Sequence, residues 1–279
     1  MECDYTIIDR PYHSPKALEN GTPESKMAVI RMFGLTMEGN SVMMNVYGFL
    51  PYFYIAVPPH PSHIDDWDLC KAVQSELNLK LRGRVRAMEQ VENYVLSVDI
   101  IQKESILSFH NNQKIDFFKI TMALPKHVTP ARDILEEQGI NIPGLGMRIF
   151  QTYESNIVFA LRFMIDRGVQ GVSWIEVPAG KWVKTSPSIS NCQLEIDCYF
   201  EDFIAHKPDG EWIKMPPLRI LSFDIECAGR ENAFPVADLD PVIQIANIIT
   251  TYGEAPGSET VRNVFVLGSC TSIVGSDVR

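Results

Sequence analysis

The strongest chemical signal in the sequence is a pair of carboxylates, Asp224 and Glu226, within the segment RILSFDIE at 219–226. The rest of this segment is almost continuously apolar, which is typical of a central strand covered on both faces. Residues two apart on a strand project from one face, so both carboxylates can reach a common point. Buried neighbouring carboxylates resist ionisation unless a cation lies between them, and Mg²⁺ or Mn²⁺ accepts such oxygens. The pattern predicts a divalent metal site.

The alternative is that Asp224 and Glu226 form only the solvated face of an ordinary strand, as most Asp-x-Glu pairs do. Ile220 and Ser222 share that face and do not extend a polar row, which favours the metal site. Two further strands follow, VIQIANIIT and VRNVFVLG. The sequence therefore predicts three adjacent antiparallel strands with the carboxylates on the first, which is how RNase H-like nucleases begin.

The elements before this meander predict a separate domain. Residues 1–25 are polar and rich in proline, and indicate a flexible leader. Three aromatic-rich strands between 26 and 57 suggest one small curled antiparallel sheet. The other predicted elements are an amphipathic helix at 63–79, capped by Ser62 and Asp65, a short helix from Thr129 to Gly139, a helix at 156–165, and a half-solvated strand at 192–200. A turn and a proline pair place a domain boundary at about 205–217.

Composition limits the classes of function. The 279 residues are 46% hydrophobic and 22% charged, as in ordinary globular domains, and no apolar run is long enough to span a membrane. The first residues do not resemble a secretory signal, so we expect a soluble, intracellular protein. The cysteines form no CxxC pair and lie beside no histidine at zinc-ligand spacing, so neither zinc nor iron–sulfur ligands are predicted.

Two features leave alternatives open. The net charge of −10 argues against nucleic acid binding over the whole surface. The basic stretch NLKLRGRVR at 78–86 is either a solvated loop or a phosphate-contacting patch. Tyr52, Phe53 and Tyr54 could stack on bases, but successive strand residues face opposite sides, so the core interpretation is favoured.

The segment LSFDIECAGR, with FP at 234–235 and DPVIQIAN at 240–247, resembles the first exonuclease motif of family B replicative DNA polymerases of the delta type. Four earlier blocks are similar to that family's N-terminal domain, in the same order. They are GFLPYFYIAVPP (48–59), KITMALP (119–125), QGINIPGLGMRIFQTYESNIVFALRFMID (138–166) and WIEVPAGKW (174–182). The blocks before residue 190 disfavour a lesion-bypass member of the family.

The resemblance implies an α+β protein: an OB-like, mixed α/β N-terminal domain at 26–210, then the first strands of an RNase H-like 3′–5′ exonuclease domain at 217–279. It implies that Asp224 and Glu226 are catalytic metal ligands for Mg²⁺ or Mn²⁺ at a proofreading site. Implied partners are DNA, as primer-template and as a single-stranded 3′ end, together with accessory polymerase subunits and a sliding clamp. The implied location is the nucleus.

The sequence departs from the family's pattern by its end at Arg279. The later aspartate motifs of the exonuclease and the polymerase motifs similar to DFxSLYPS and YGDTDS do not occur in it. We therefore expect this chain alone to have neither polymerase nor meaningful exonuclease activity. The alternative is a non-catalytic product that binds nucleic acid or accessory subunits.

Overall fold

The computed structural model describes residues 2–9, 26–85, 91–104, 114–255, 261–271 and 274–275. The chain divides into two compact units, one made of Met1–Gly34 and Val42–Trp212, the other of Leu35–Ser41 and Ile213–Arg279. Helices and separate sheets occur together in the first unit, so the α+β class is confirmed. Among the described residues, no helix combines the length and apolar character that crossing a bilayer requires.

The first unit contains thirteen described strands and three α-helices. The strands are β1 (Glu2–Asp9), β2 (Lys26–Leu35), β3 (Ser41–Tyr47), β4 (Tyr52–Ala56), β5 (Val95–Glu104), β6 (Lys114–Met122), β7 (Ile140–Ile142), β8 (Gly146–Arg148), β9 (Thr152–Tyr153), β10 (Ile175–Glu176), β11 (Trp182–Lys184), β12 (Leu194–Tyr199) and β13 (Ile204–Ala205). The helices are α1 (Asp66–Arg84), α2 (Val128–Asp133) and α3 (Phe159–Arg167), with a 3₁₀ turn at Pro125–His127, a π-helical turn at Ile134–Gln138 and a 3₁₀ turn at Gly210–Ile213.

The strands between 26 and 57 do not form the single predicted sheet. β2 and β3 lie in a five-stranded sheet of order β1-β2-β3-β12-β11, whereas β4 lies in a four-stranded sheet of order β5-β6-β4-β9. The chain turns between β3 and β4 at Gly48, where φ is +88°. A Cβ at Gly48 would lie 2.7 Å from Tyr199, so only glycine fits. That turn separates the two sheets.

The predicted flexible leader is wrong for its first part. Residues 2–9 form β1, which pairs antiparallel with β2 along its whole length, from Glu2 opposite Phe33 to Asp9 opposite Lys26. The segment YTII within these residues consists of aromatic and β-branched residues, which are enriched in strands. Residues 10–25, the remainder of the predicted leader, lie outside the described residues.

The apolar repeat of Ile64, Trp67, Cys70, Val73 and Leu77 predicts the buried face of helix α1. The prediction is confirmed in part, because Val73 and Leu77 are buried and Ile64 and Cys70 pack against the same cluster. The helix nevertheless packs on the four-stranded sheet with a partly different face. Its buried residues are Leu69, Val73, Leu77 and Leu81, while Trp67 is 64% exposed. The Asn78 side chain accepts hydrogen bonds from the N–H groups of Tyr94 and Val95, at 2.8 and 3.0 Å, which ties the helix to the start of β5. The helix continues to Arg84, so the basic stretch is helical as far as residue 84 and the solvated-loop alternative is wrong for these residues.

The helix ends follow local backbone rules only in part. Asp65 is the N-cap residue of α1 but makes no side-chain capping hydrogen bond, so the predicted Ser62–Asp65 cap is wrong. Gly139, with φ of +70°, ends the helical run that begins at Pro125, as predicted, although that run starts earlier than Thr129. Gly168, with φ of +66°, ends α3, three residues beyond the predicted end.

Strand β12 is more buried than the predicted half-solvated strand. Glu195, on its expected wet face, is only 2% exposed. Its carboxylate accepts hydrogen bonds from the N–H groups of Ile189 and Ser190 and from the Ser190 hydroxyl, at 2.6–2.9 Å. Burial alone would raise the pKa of Glu195, but these hydrogen bonds hold it below its ordinary value.

Replacing Glu195 with glutamine is expected to lower the free energy of unfolding at neutral pH by about 1–2 kcal/mol, because hydrogen bonds to a charged acceptor are stronger. A depressed folded-state pKa adds stability above the unfolded pKa of about 4.3 and loses it as pH falls through the folded value. Urea denaturation from neutral to acid pH should show the difference between wild type and E195Q shrinking on acidification. The exposed Glu201→Gln variant is the control, and a difference that persists in acid would contradict the expectation.

Candidate metal site and comparison with known proteins

The candidate carboxylates lie in the second unit, on a three-stranded sheet. Its strands are β14 (Arg219–Cys227), β15 (Val242–Thr251) and β16 (Val261–Val266), in the order β14-β15-β16, and both pairings are antiparallel. The prediction of three adjacent antiparallel strands, the first carrying the carboxylates, is therefore confirmed. β14 is an edge strand among the described residues, and not the predicted central strand.

Asp224 and Glu226 project from the same face of β14. Asp224 lies opposite Ala246 and Glu226 opposite Gln244, so uncharged side chains border the pair across the ladder. Neither carboxylate forms a salt bridge with a described residue, and Asp224 Oδ1 accepts a hydrogen bond from the Ile225 N–H at 2.9 Å. Most carboxylate lone pairs in this pair are therefore available to a cation.

The predicted cover over both faces of this strand is wrong for the described residues. Every residue from Arg219 to Glu226 is exposed, including Phe223 at 67% and Leu221 at 56%. The reason is that the described part of the second unit holds three strands and no α-helix that could pack on them. The apolar sequence predicted a buried strand, but burial depends on elements that lie elsewhere in a chain.

The donor set at this site is partial. Across the described ranges, no group of three or more histidine, cysteine, aspartate or glutamate side chains lies close enough to hold a metal ion. Two exposed carboxylates on one strand face nevertheless match the hard oxygen donors that Mg²⁺ and Mn²⁺ prefer, and Mg²⁺ usually takes one or two carboxylates and several waters. The residues present fit such a cation as part of its ligand set.

An ion pair with a buried carboxylate and a half-exposed guanidinium organises the connection after β14, and it was not predicted. Arg230 donates from Nε and Nη2 to the two oxygens of Asp240, both at 3.2 Å. Asp240 Oδ2 also accepts from the Val236 N–H at 2.7 Å, and its side chain is only 1% exposed. A bidentate guanidinium–carboxylate pair fixes relative orientation as well as distance. The sequence predicts only a polar connection here. Arg230 and Asp240 are ten positions apart, and no periodic pattern relates them.

The strand bends where this connection begins. The pairing register of β14 and β15 shifts between Glu226 and Cys227, which marks a β-bulge. The Ala228 N–H then bonds to the Pro241 carbonyl at 2.9 Å, which brings the two ends of the connection together. Glu226 therefore sits beside a bulge whose flanks are tied by backbone and side-chain contacts.

A second cluster of polar side chains lies in the first unit, around a cavity of about 350 Å³. Arg162, only 6% exposed, lines it and donates to Glu154, with Asp166 at 4.0 Å. The Tyr52 hydroxyl donates to Asp166 at 2.5 Å, and burial together with that hydrogen bond raises the pKa of Tyr52 above its ordinary range. These groups carry one positive and two negative charges, so the cluster has no excess positive charge to attract an anion.

The aromatic run at 52–54 serves the core. Phe53 is fully buried and Tyr54 is 4% exposed. The partly buried Tyr52 ring is contacted by Lys119 Nζ, 4.2 Å from the ring centroid, and by the Arg162 guanidinium at 4.8 Å. The core interpretation is therefore confirmed for Phe53 and Tyr54, and the Tyr52 ring is already engaged by two cations.

The basic stretch at the end of α1 is also partly committed to internal contacts. Arg84 forms a salt bridge with Asp133 at 3.1 Å, and Arg82 donates to the Glu92 carbonyl at 2.9 Å. Such contacts engage the guanidinium groups that a phosphate would need. The stretch is therefore mainly a structural helix end, and Arg86 lies outside the described residues.

Two protein-family models match the chain, and one of them includes the carboxylate strand β14. The model of the family B DNA polymerase exonuclease domain matches residues 150–277, and that of the N-terminal domain of proteins like the DNA polymerase delta catalytic subunit matches 48–129. The chain belongs to the family B DNA polymerases. The exonuclease match begins well before residue 217, where the sequence pattern places the start of that domain.

Within the family, the chain is similar to the delta catalytic subunit. It is 49% identical to that of Arabidopsis thaliana and 46% identical to that of Glycine max, over the whole of this chain. The chain spans only 24% of the length of these relatives. A solved family B DNA polymerase from the archaeon Pyrobaculum calidifontis covers 95% of this chain, with a TM-score of 0.59 and 22% identity. It shows the fold alone.

Proposed function

We propose that this chain supplies part of the 3′–5′ exonuclease site of a replicative DNA polymerase that acts in DNA replication and repair, with Asp224 and Glu226 as metal ligands. The observation that supports it is the pair of exposed carboxylates on one face of the first strand of an antiparallel meander. This strand lies inside the segment that matches the exonuclease-domain model. The surrounding structure adds a register bulge next to Glu226, a feature that is frequent beside active sites.

The proposed role of the pair is to hold divalent ions. Mg²⁺ is the expected ion, with Mn²⁺ as a substitute, since both take carboxylate oxygen. When bound, the ions supply the charge that stabilises the attacking water and the departing 3′ oxygen of a phosphodiester. Asp224 and Glu226 would hold the ions from one face of the strand. We assign no proton transfer to either residue.

Two finer features of the fold belong to the same proposal. The sheet β14-β15-β16 is the start of an RNase H-like sheet, and its antiparallel order supports that assignment. The first unit is an OB-like, mixed α/β domain, and the similarity to a solved family B polymerase supports that.

The partners we propose are primer-template DNA, its single-stranded 3′ end, accessory polymerase subunits and a sliding clamp. The location we propose is the nucleus.

Binding of Mn²⁺ to the isolated chain tests the metal assignment. We expect paramagnetic broadening of amide resonances in the NMR spectrum, centred on residues 224–226, and only at high Mn²⁺ concentration because the described ligand set is partial. The broadening should be lost in the Asp224→Asn and Glu226→Gln variants. It should remain in the Glu231→Gln variant, whose exposed carboxylate lies in the same unit. Broadening centred elsewhere, or equal in all variants, would refute the assignment.

A further inference from the structure

We propose that Gln244 is a positioning residue of the metal site, whose carboxamide orients the Glu226 carboxylate and holds water bound to a divalent ion. This inference rests on the proposed exonuclease function and adds a residue to its site. The observation that carries it is the cross-strand pairing of Gln244 with Glu226, on the sheet face that carries both carboxylates.

Gln244 lies directly opposite Glu226 in the antiparallel ladder of β14 and β15. Side chains of such a pair project from the same face, and their Cβ atoms lie about 4.5–5.5 Å apart. Both residues are exposed. Within the described ranges, no hydrogen bond engages the carboxamide of Gln244 or the carboxylate of Glu226. The two groups can therefore meet without any movement of the backbone.

The backbone that carries Gln244 is held on both sides. β15 is the middle strand of the sheet, and Gln244 pairs with Glu226 on one side and with Val266 on the other. The register shift next to Glu226 leaves Ile243 without an opposite residue on β14, so Gln244 ends the regular register at the carboxylate end. Bulges near active sites re-aim the side chains around them. The carboxamide is therefore presented beside Glu226 from an ordered backbone.

A carboxamide suits this place because it carries both donors and an acceptor. Its NH₂ group can donate to a carboxylate oxygen of Glu226, and its oxygen can accept from a water molecule on the ion. Mg²⁺ usually takes one or two carboxylates and keeps several waters, so protein groups can hold much of its shell through water. Partners of this kind orient the ligands of an ion and raise its affinity. A third carboxylate at this position could not donate to Glu226 and would repel it.

The other side chains that β15 and β16 place beside the carboxylates cannot perform this role. Asp224 lies opposite Ala246 in the ladder. On β16, Val264 and Val266 continue the two rows that contain the carboxylates. These alanine and valine side chains have no polar atoms. Across these rows of β15 and β16, the group that can form hydrogen bonds is therefore the carboxamide of Gln244.

The test uses the full chain and follows the side-chain NH₂ resonances of glutamine by NMR while a divalent ion is added. Mg²⁺ is expected to shift the Gln244 NH₂ resonances, and Mn²⁺ to broaden them at the concentrations that broaden the amides of residues 224–226. In the Gln244→Met variant, the Mn²⁺ concentration for half-maximal broadening of those amides should rise roughly tenfold, within the range that loss of such partners gives. The matched control Thr250→Val removes a hydroxyl from the same face of β15, at the far end of the ladder opposite Ile220, and should leave the titration unchanged.

The variants separate failure of this inference from failure of the proposed function. If Asp224→Asn and Glu226→Gln abolish the broadening while Gln244→Met titrates like wild type, the role of Gln244 is refuted and the metal site stands. If the two carboxylate variants bind Mn²⁺ like wild type, the proposed metal site fails first and the inference fails with it. A purely structural role would lower the free energy of unfolding of Gln244→Met in urea, with no response of the wild-type Gln244 NH₂ resonances to Mg²⁺, and that result would also overturn the inference.

Discussion

Replacing Leu81 with alanine is expected to lower the free energy of unfolding of the first unit by about 2–5 kcal/mol. Leu81 is fully buried in the cluster that α1 forms with β5 and β6, alongside Leu77 and Phe118. Removing its side chain leaves a cavity that a close-packed core cannot fill without strain. Urea denaturation followed by circular dichroism at the helical band measures the loss.

Leu79→Ala is the matched control for this measurement. Leu79 lies on the same helix, two residues away, and is 66% exposed. Both changes replace leucine with alanine inside a helix, so the helix propensity contribution is nearly the same and cancels. We expect the control to change the stability by about 0.5 kcal/mol or less. Equal losses in both variants, or a larger loss in Leu79→Ala, would show that the helix packs with another face.

The orientation of α1 shows what a periodic pattern can and cannot establish. Apolar spacing of three and four residues predicts that a helix exists here, and a helix is present. The sequence carries two overlapping stripes, one through Trp67 and Cys70 and one through Leu69 and Leu81, which share Val73 and Leu77. Only the sheet decides between them, because Asn78 binds the backbone of β5 and so turns Leu81 inward. That contact joins residues on two elements and leaves no trace in the local pattern.

The carboxylate strand shows the same division between local and distant causes. Asp224 and Glu226 share a face because strand geometry requires it, so their juxtaposition could be predicted from spacing alone. The order of β14, β15 and β16 also followed from their short separations in sequence. The burial of β14 could not be predicted in this way, since it depends on elements packed on the sheet. The Arg230–Asp240 pair was equally hidden, because its partners meet only once the connection has folded.

Replacing Asp240 with alanine is expected to destabilise the second unit by about 2–3 kcal/mol. The change removes one buried carboxylate and leaves the Arg230 guanidinium and the Val236 N–H without their acceptor. Arg230 is 49% exposed and can regain water, so the loss should stay below that of a fully buried ion pair. Amide hydrogen exchange measures it directly, at Val236 and at Ala228, whose N–H bonds to Pro241 next to Asp240.

Asp238→Ala is the control, since Asp238 is exposed and lies two residues away on the same connection. We expect it to leave exchange at Val236 unchanged. Arg230→Lys should give an intermediate effect, because lysine keeps the charge but cannot donate from two nitrogens in one plane. Because Asp240 lies just before β15, the faster exchange should spread to the ladder near Glu226 and spare the far end at Arg219 and Thr251. Uniform acceleration along β14 would mean that the pair stabilises the whole sheet and does not selectively hold the carboxylate end.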